Sequence, residues 1–147
     1  MISSLGRYLE RKMNLGWAIV YVDNVKAVLD FYGKAFGLKT RFLHESAEYG
    51  ELETGQTTLA FASHKLAQMN LPDGYLPSVP NQKPLGFEFA IVTSAVHAAY
   101  TTAIDAGATP ISPPHDKPWG QTVSYVRSIE GTLISICTPL APPPKSD

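Results

Sequence analysis

Two stretches of alternating apolar and polar positions lie about 70 residues apart, each followed by apolar positions at helical spacing. The first stretch, Trp17 to Val22, is a short run of Val, Ile and aromatic residues, which predicts a strand. Val25, Val28, Leu29, Tyr32 and Phe36 then fall on one face of a helix. Asp23 or Asn24 is placed to accept the free N–H groups at its start. Gly37 supplies the left-handed residue that ends it. Thr40 to His44 and Tyr49 to Glu53 predict two strands, Thr54-Gly55 a tight turn, and Thr57 to Ser63 a third short strand. The unit is βαβββ.

The second copy follows the same order. Gly86 to Val92 predicts a strand and Ser94 a helix cap. Val96, Ala99, Tyr100, Ala103 and Ile104 make the apolar face, and Gly107 ends the helix. Thr109 to Ile111, Trp119 to Arg127 and Thr132 to Thr138 predict strands, with a turn at Ser128 to Gly131. Between the copies, His64 to Pro84 holds Pro72, Gly74, Pro77, Pro80 and Pro84, which predicts an irregular connector rather than a helix. The segment before Met13 predicts a short helix outside the repeat. The tail APPPKSD predicts an extended end. The chain thus reads as one α+β domain over 1–147, with module one at about 15–64, the connector at about 65–84 and module two at about 85–139. A duplicated unit suggests two halves that build one site between them.

Composition narrows the class. Of 147 residues, 44% are hydrophobic and 17% charged, which fits a folded domain and not a disordered chain. A net charge of -1, with scattered basic residues, gives no reason to expect a nucleic-acid partner. The single cysteine, Cys137, excludes an intramolecular disulfide and a Cys-rich zinc site. The polar start MISSLGRYLERKMNLG lacks the apolar core of a signal peptide, and no segment approaches the roughly 20 apolar residues of a membrane span. The expectation is a cytoplasmic protein with no membrane partner. There is no Gly-rich phosphate loop, no G-x-S-x-G and no H-E-x-x-H.

The segments VDNVKAVLDFYGKAFGLKT and PWGQTVSYVRSIEGTLISICTP, with the strands around them, resemble the vicinal oxygen chelate superfamily of glyoxalases, bleomycin-resistance proteins and dioxygenases. The resemblance covers roughly Leu15 to Pro139. It implies two βαβββ modules in a pseudo-twofold arrangement, forming a curled mixed sheet around a cleft. It also implies a homodimer, because many relatives complete each cleft with halves of different chains. Metal-dependent members hold a divalent ion with His, Gln or Glu on the first and last strands of each half. Residue by residue, those positions fall here on Trp17, near Ala60, on Glu88 and on Ser135. Trp, Ala and Ser are not credible metal ligands here, and a catalytic zinc needs about three protein ligands. The expectation is therefore no metal and no cofactor. The bleomycin-resistance-like branch likewise binds ligands in its cleft without metal.

Strand alternation sorts the faces. Ala18, Val20 and Val22 should pack on the helix, leaving Trp17, Ile19 and Tyr21 toward the cleft. In the second half, Phe87, Phe89 and Ile91 pack while Glu88, Ala90 and Val92 face it. Ala60, Ala62 and His64 share the ligand-side face, as do Ser135 and Cys137. The expected ligand-binding residues are Trp17, Tyr21, Glu88, Tyr125 and Ser135, with His64 and Trp119 at the rim, and no catalytic residue. The bland readings compete with these. Trp17 could be core filling, and Trp119 could anchor the loop before it. Cys137 reads as a small buried hydrophobe. Glu51 and Glu53 read as a solvated strand face. Glu88 must find Arg41, Arg127, a hydroxyl or water, since a buried carboxylate is costly alone.

The reading that follows is a metal-independent protein binding a small aromatic or amphipathic compound between its modules, conferring resistance by sequestration. The competing reading is a lyase or dioxygenase, either with an atypical metal site of Glu88, His64 and Glu51 or metal-free with Glu88 as base. A third is a relic with no ligand.

Overall fold

A computed structural model describes residues 3–140. The expected extended tail, 141–147, lies outside the described residues. The chain runs α1 (Ser4–Arg11), β1 (Trp17–Val22), α2 (Val25–Phe36), β2 (Thr40–Leu43), β3 (Tyr49–Leu52), β4 (Thr58–Ser63) and α3 (His64–Asn70). It continues β5 (Glu88–Val92), α4 (Val96–Asp105), β6 (Thr109–Asp116), β7 (Thr122–Arg127) and β8 (Leu133–Cys137). The strands form two four-stranded sheets of identical order, β1-β4-β3-β2 and β5-β8-β7-β6. In each, the first strand pairs parallel with the last and the rest pair antiparallel. The duplication seen in the sequence is thus a duplication of topology, in two sheets not joined to each other.

Helix α2 begins as expected: the Asn24 side chain accepts from Ala27 N–H, and Gly37 closes the helix at φ 69°. The amphipathic face buries Val28, Leu29 and Tyr32 against Val20, Val22 and Phe61. Helix α4 departs in detail. Its N-cap is Ala95 without a side-chain bond, because the hydroxyl of Thr93, not Ser94, reaches the backbone at Ala95. Val96 is buried, while Tyr100 and Ile104 are half-buried against the core.

Two expectations on the connector and β6 are corrected. His64–Asn70 is a helix, capped by Ser63, whose side chain accepts from Leu66 N–H. The prolines that argued against a helix begin only at Pro72. Strand β6 extends to Asp116 through Pro110, Pro113 and Pro114. It lies at a sheet edge and is broken by two register shifts, which is where proline is tolerated in a sheet.

The helices α2 and α4 touch each other, and residues of both sheets join one core. Each sheet therefore packs its helix-bearing face inward, toward the other module. The opposite faces of the two sheets are turned outward on either side of the chain. Among the described residues no helix is long and apolar enough to cross a membrane.

Candidate functional site

On the outer face of each sheet, small side chains on the central strand lie between larger ones, a trough in side-chain size. Cross-strand pairing in the first sheet places Ile19, Ala60 and Glu51 in one row and Tyr21, Ala62 and Tyr49 in the next. The central strand β4 supplies alanines, and the flanking strands supply large side chains. Ala60 and Ala62 are buried under those flanks, while Trp17 is 56% exposed and Ile19 46%. The second sheet repeats the scheme in part, with larger side chains from β7 and smaller ones from β5. Ala90, Ser135 and Tyr125 share one row, and Val92, Cys137 and Val123 the next. Ser135 and Cys137 are the small central residues, both buried, and Val92 stands outward at 57% exposed. The Cys137 thiol is free. Burial, with Glu88 nearby, pushes its pKa up, so it is a poor nucleophile.

A hydrogen-bonded cluster occupies one wall of the first trough. The Trp17 indole N–H donates to Glu51 Oε2 at 2.9 Å, and the Tyr49 hydroxyl donates to the same oxygen at 2.6 Å. Arg41 donates to Glu51 Oε1 from Nη2 at 2.9 Å and from Nε at 3.3 Å. Arg41 Nη2 also donates to Thr58 Oγ1 at 2.7 Å. The Tyr49 hydrogen bond leads the groups that hold the Glu51 carboxyl below its usual range, joined by Trp17 and Arg41. Burial and the same carboxylate push Tyr49 up to about 12. Glu51 was expected on a solvated face. It instead accepts from three side chains, Tyr49 of its own strand, Trp17 of β1 and Arg41 of β2, and Arg41 carries the cluster on to Thr58 of β4. The available signal was its phase: Glu51 alternates onto the same side as Tyr49.

The other expected residues separate into groups. Tyr21 and His64 come together through a residue that the sequence reading missed, Tyr75 of the connector. Tyr75 lies 5.1 Å from Tyr21 between ring centroids and stacks on His64 at 5.8 Å. His64 Nδ1 is 2.6 Å from the Tyr75 hydroxyl, and His64 Nε2 is 3.6 Å from Asp23. These three line a cavity of about 340 Å³ with Gln68, Pro77 and Val79. Glu88 is exposed and lines a different groove of about 530 Å³ with Ala18, Leu38 and Leu59. The arginines proposed as its partners are engaged elsewhere, Arg41 as above and Arg127 on the carbonyls of Val79, Pro80 and Gly131. Tyr125 and Ser135 are cross-strand neighbours on the second trough. Trp119 sits at the β6–β7 turn, 61% exposed, donating to Gln121 Oε1 with Lys117 over its ring. A single chain therefore does not bring all of the expected residues around one cleft.

Among the described residues, no three His, Cys, Asp or Glu side chains lie close enough to hold a metal ion. Glu88, His64 and Glu51 are not assembled into the atypical site considered above. The donor set at the family's metal positions, Trp17, Ala60, Glu88 and Ser135, does not fit a divalent cation.

Comparison with known proteins places the chain. The family model described as Glyoxalase/Bleomycin resistance protein/Dioxygenase superfamily matches residues 14–136. A search of curated proteins returns no match. Among solved structures, a glyoxalase-related enzyme from Fulvimarina pelagi superposes with a TM-score of 0.74 at 19% identity, covering 87% of this chain and 89% of that one. A glyoxalase/bleomycin resistance protein/dioxygenase family enzyme from Burkholderia phytofirmans PsJN gives 0.68 at 23%, covering 86% and 98%. A glyoxalase/bleomycin resistance protein/dioxygenase from Nocardioides gives 0.66 at 17%, covering 99% and 100%. At these identities the likeness is one of fold.

Proposed function

Since the chain belongs to the glyoxalase/bleomycin resistance protein/dioxygenase superfamily, we propose that it is a metal-independent binding protein for a small aromatic or amphipathic compound, acting by sequestration. Its cleft is built by two copies in a homodimer: the outer face of module one of one copy opposes the outer face of module two of the other. Trp17, Tyr21, Glu88, Tyr125 and Ser135 then line one cavity, with His64 and Trp119 at its margins.

The observation that supports this best is the small residues on the central strand of each outer face, flanked by Trp17, Tyr21 and Tyr49 in module one and by Tyr125 in module two. A trough open on one side buries only half of a ligand, whereas small-molecule sites bury most of it.

The test joins assembly to binding. Sedimentation should give a species of about twice 16.0 kDa at micromolar concentration, and a diverse set of aromatic compounds should include some that raise thermal stability. Trp17→Ala damages the module-one trough and Ala90→Trp fills the module-two trough. Each homodimer should lose binding of such a compound. Mixed dimers of the two variants contain one cleft with both faces intact, so unfolding and refolding the mixture should restore part of the binding. A monomer, or a mixture as inactive as its parents, would refute the shared cleft.

A further inference from the structure

The Glu51 cluster defines which side of a ligand the module-one wall recognises. Both oxygens of the carboxylate are occupied: Oε1 takes two N–H groups of Arg41, and Oε2 takes Trp17 N–H and Tyr49 O–H. The Glu51 carboxylate therefore has no acceptor left to offer, while the exposed Glu53 acts on Arg41 from beyond the end of β3. The wall's remaining charged donor capacity is on Arg41. Nε and Nη2 are spent on Glu51 and Thr58, while Nη1 has no hydrogen-bond partner among the described residues. The arginine side chain is 36% exposed. Beside it the Trp17 ring is half-exposed, yet its one polar atom is already satisfied. The ring thus has nothing to gain from turning its edge toward solvent and is held as a fixed plane. Fixing it in advance lowers the entropy lost when a flat molecule stacks there.

We infer that this wall recognises a planar aromatic ligand bearing an anionic acceptor group, with the ring on Trp17 and the acceptor on Arg41 Nη1, and that Glu51 is the positioning residue holding both. The inference rests on the shared cleft proposed above and names the chemical class that enters it. It also assigns opposite preferences to the two walls, because the exposed Glu88 of module two favours donors. The bound molecule is oriented by that asymmetry, its acidic end toward module one.

Three probes of equal ring size test this in the intact dimer: 2-naphthoate, 2-naphthol and 2-naphthylmethylammonium. Calorimetry should rank naphthoate first, roughly tenfold over the ammonium, the usual scale for one charge-assisted contact. Arg41→Met should erase the ranking. Glu51→Ala should weaken all three probes about three- to tenfold by freeing the indole. The positioning role has its own readout, the Trp17 indole N–H resonance. It should be downfield and slow to exchange in wild type, lose both properties in Glu51→Ala and regain them in Glu51→Gln, whose amide oxygen still accepts. An intact backbone spectrum in each variant shows that the fold survives. If the probes bind and depend on Trp17 but show no preference for the anion, the shared cleft stands and the assigned ligand class falls. If none binds, or Trp17→Ala changes nothing, the cleft reading falls with it.

Discussion

Replacing Tyr32 by Phe removes one oxygen and tests what fixes the two modules against each other. The hydroxyl donates to Glu130 Oε2 at 2.7 Å, joining α2 of module one to the β7–β8 turn of module two across 98 residues. Tyr32 is fully buried and Glu130 is 6% exposed. Glu130 Oε1 is buried and already without a hydrogen-bond partner among the described residues. The substitution therefore leaves a buried carboxylate with both oxygens unpaired. A hydrogen bond to a charged group contributes about 1.5–3 kcal/mol, and an orphaned buried group costs about 1–3 kcal/mol. These terms overlap, so the expected loss is about 2–4 kcal/mol. Glu130→Gln should cost less, because its amide oxygen still accepts from the phenol. Tyr32→Phe combined with Glu130→Met removes donor and acceptor together and should recover much of the loss. Urea unfolding measures each arm, at fixed protein concentration because assembly itself stabilises. At roughly 2–4 °C per kcal/mol for a domain of this size, Tyr32→Phe should lower Tm by about 5–15 °C. Burial first, and the Glu130 charge second, hold the Tyr32 phenol well above its ordinary pKa. A raised folded pKa means stability that is intact below about pH 10 and lost as pH rises toward the folded value. Tyr32→Phe should remove that part of the alkaline sensitivity. A loss under about 0.5 kcal/mol, or a double variant whose cost is the plain sum of the singles, would refute the role of this pair.

Gly131→Ala should be costly for two separable reasons. Its φ is +97°, and a Cβ would meet the Val79 carbonyl carbon at 2.8 Å. Left-handed strain of about 1–2 kcal/mol and overpacking of about 1–3 kcal/mol add to roughly 2–5 kcal/mol in urea unfolding. Gly55→Ala, at φ +89° with open space around it, isolates the strain alone, and equal costs would show the connector contact to be irrelevant. The Glu51 cluster should titrate at its own ends. Its depressed carboxyl pKa gives stability that is present above about pH 4.3 and lost as pH falls through the folded value, so the shifted Trp17 indole signal should survive at pH 5 and collapse only below the usual carboxylate range. Tyr49, raised to about 12, loses its contribution as pH rises through that value, and its ultraviolet ionisation step should lie there. Ionisation of every accessible tyrosine near pH 10 would dissolve that part of the cluster.

Alternation and helical spacing made the duplicated unit legible, because they depend on residues a few positions apart. Val20 and Val22 inward with Trp17 and Ile19 outward followed from period two alone, and Asn24 and Gly37 marked the ends of α2 by their own chemistry. The connector misled because its proline density was spread backward over His64–Asn70, a segment that contains no proline and follows a capping serine. Strand β6 was read short because proline usually ends a strand, and only its edge position, a tertiary fact, makes three of them acceptable. Glu51 was misjudged for the same reason. Its partners Trp17 and Arg41 are 34 and 10 residues away, and nothing local shows that β3 turns all three onto one face. Tyr75 lay in a segment without periodicity, so no pattern could place its ring on Tyr21 and His64.

The two sheets have four edge strands, β1, β2, β5 and β6. An edge strand offers unpaired backbone groups, and folded chains blunt such edges with proline, charge or bulges. Two of the edges here are blunted. Strand β6 contains Pro110, Pro113 and Pro114 with two register shifts, and β2 contains Arg41 and an irregularity between Thr40 and Phe42. The other two edges are β1, WAIVYV, and β5, EFAIV, which pair regularly and contain no proline, and whose one charge is Glu88 at the start of β5. They are also the strands that turn Trp17, Ile19 and Val92 outward. In the homodimer proposed above, these two less protected edges meet, β1 of one copy against β5 of the other. Hydrogen exchange tests this directly. The amides of β1 and β5 that point away from β4 and β8 should be protected at concentrations where the dimer persists and should exchange on dilution below its dissociation constant. The outward amides of β2 and β6 should exchange quickly at both concentrations. Rapid exchange along β1 and β5 in the assembled protein would show that the copies meet elsewhere, and the cleft would then have to be sought on another face.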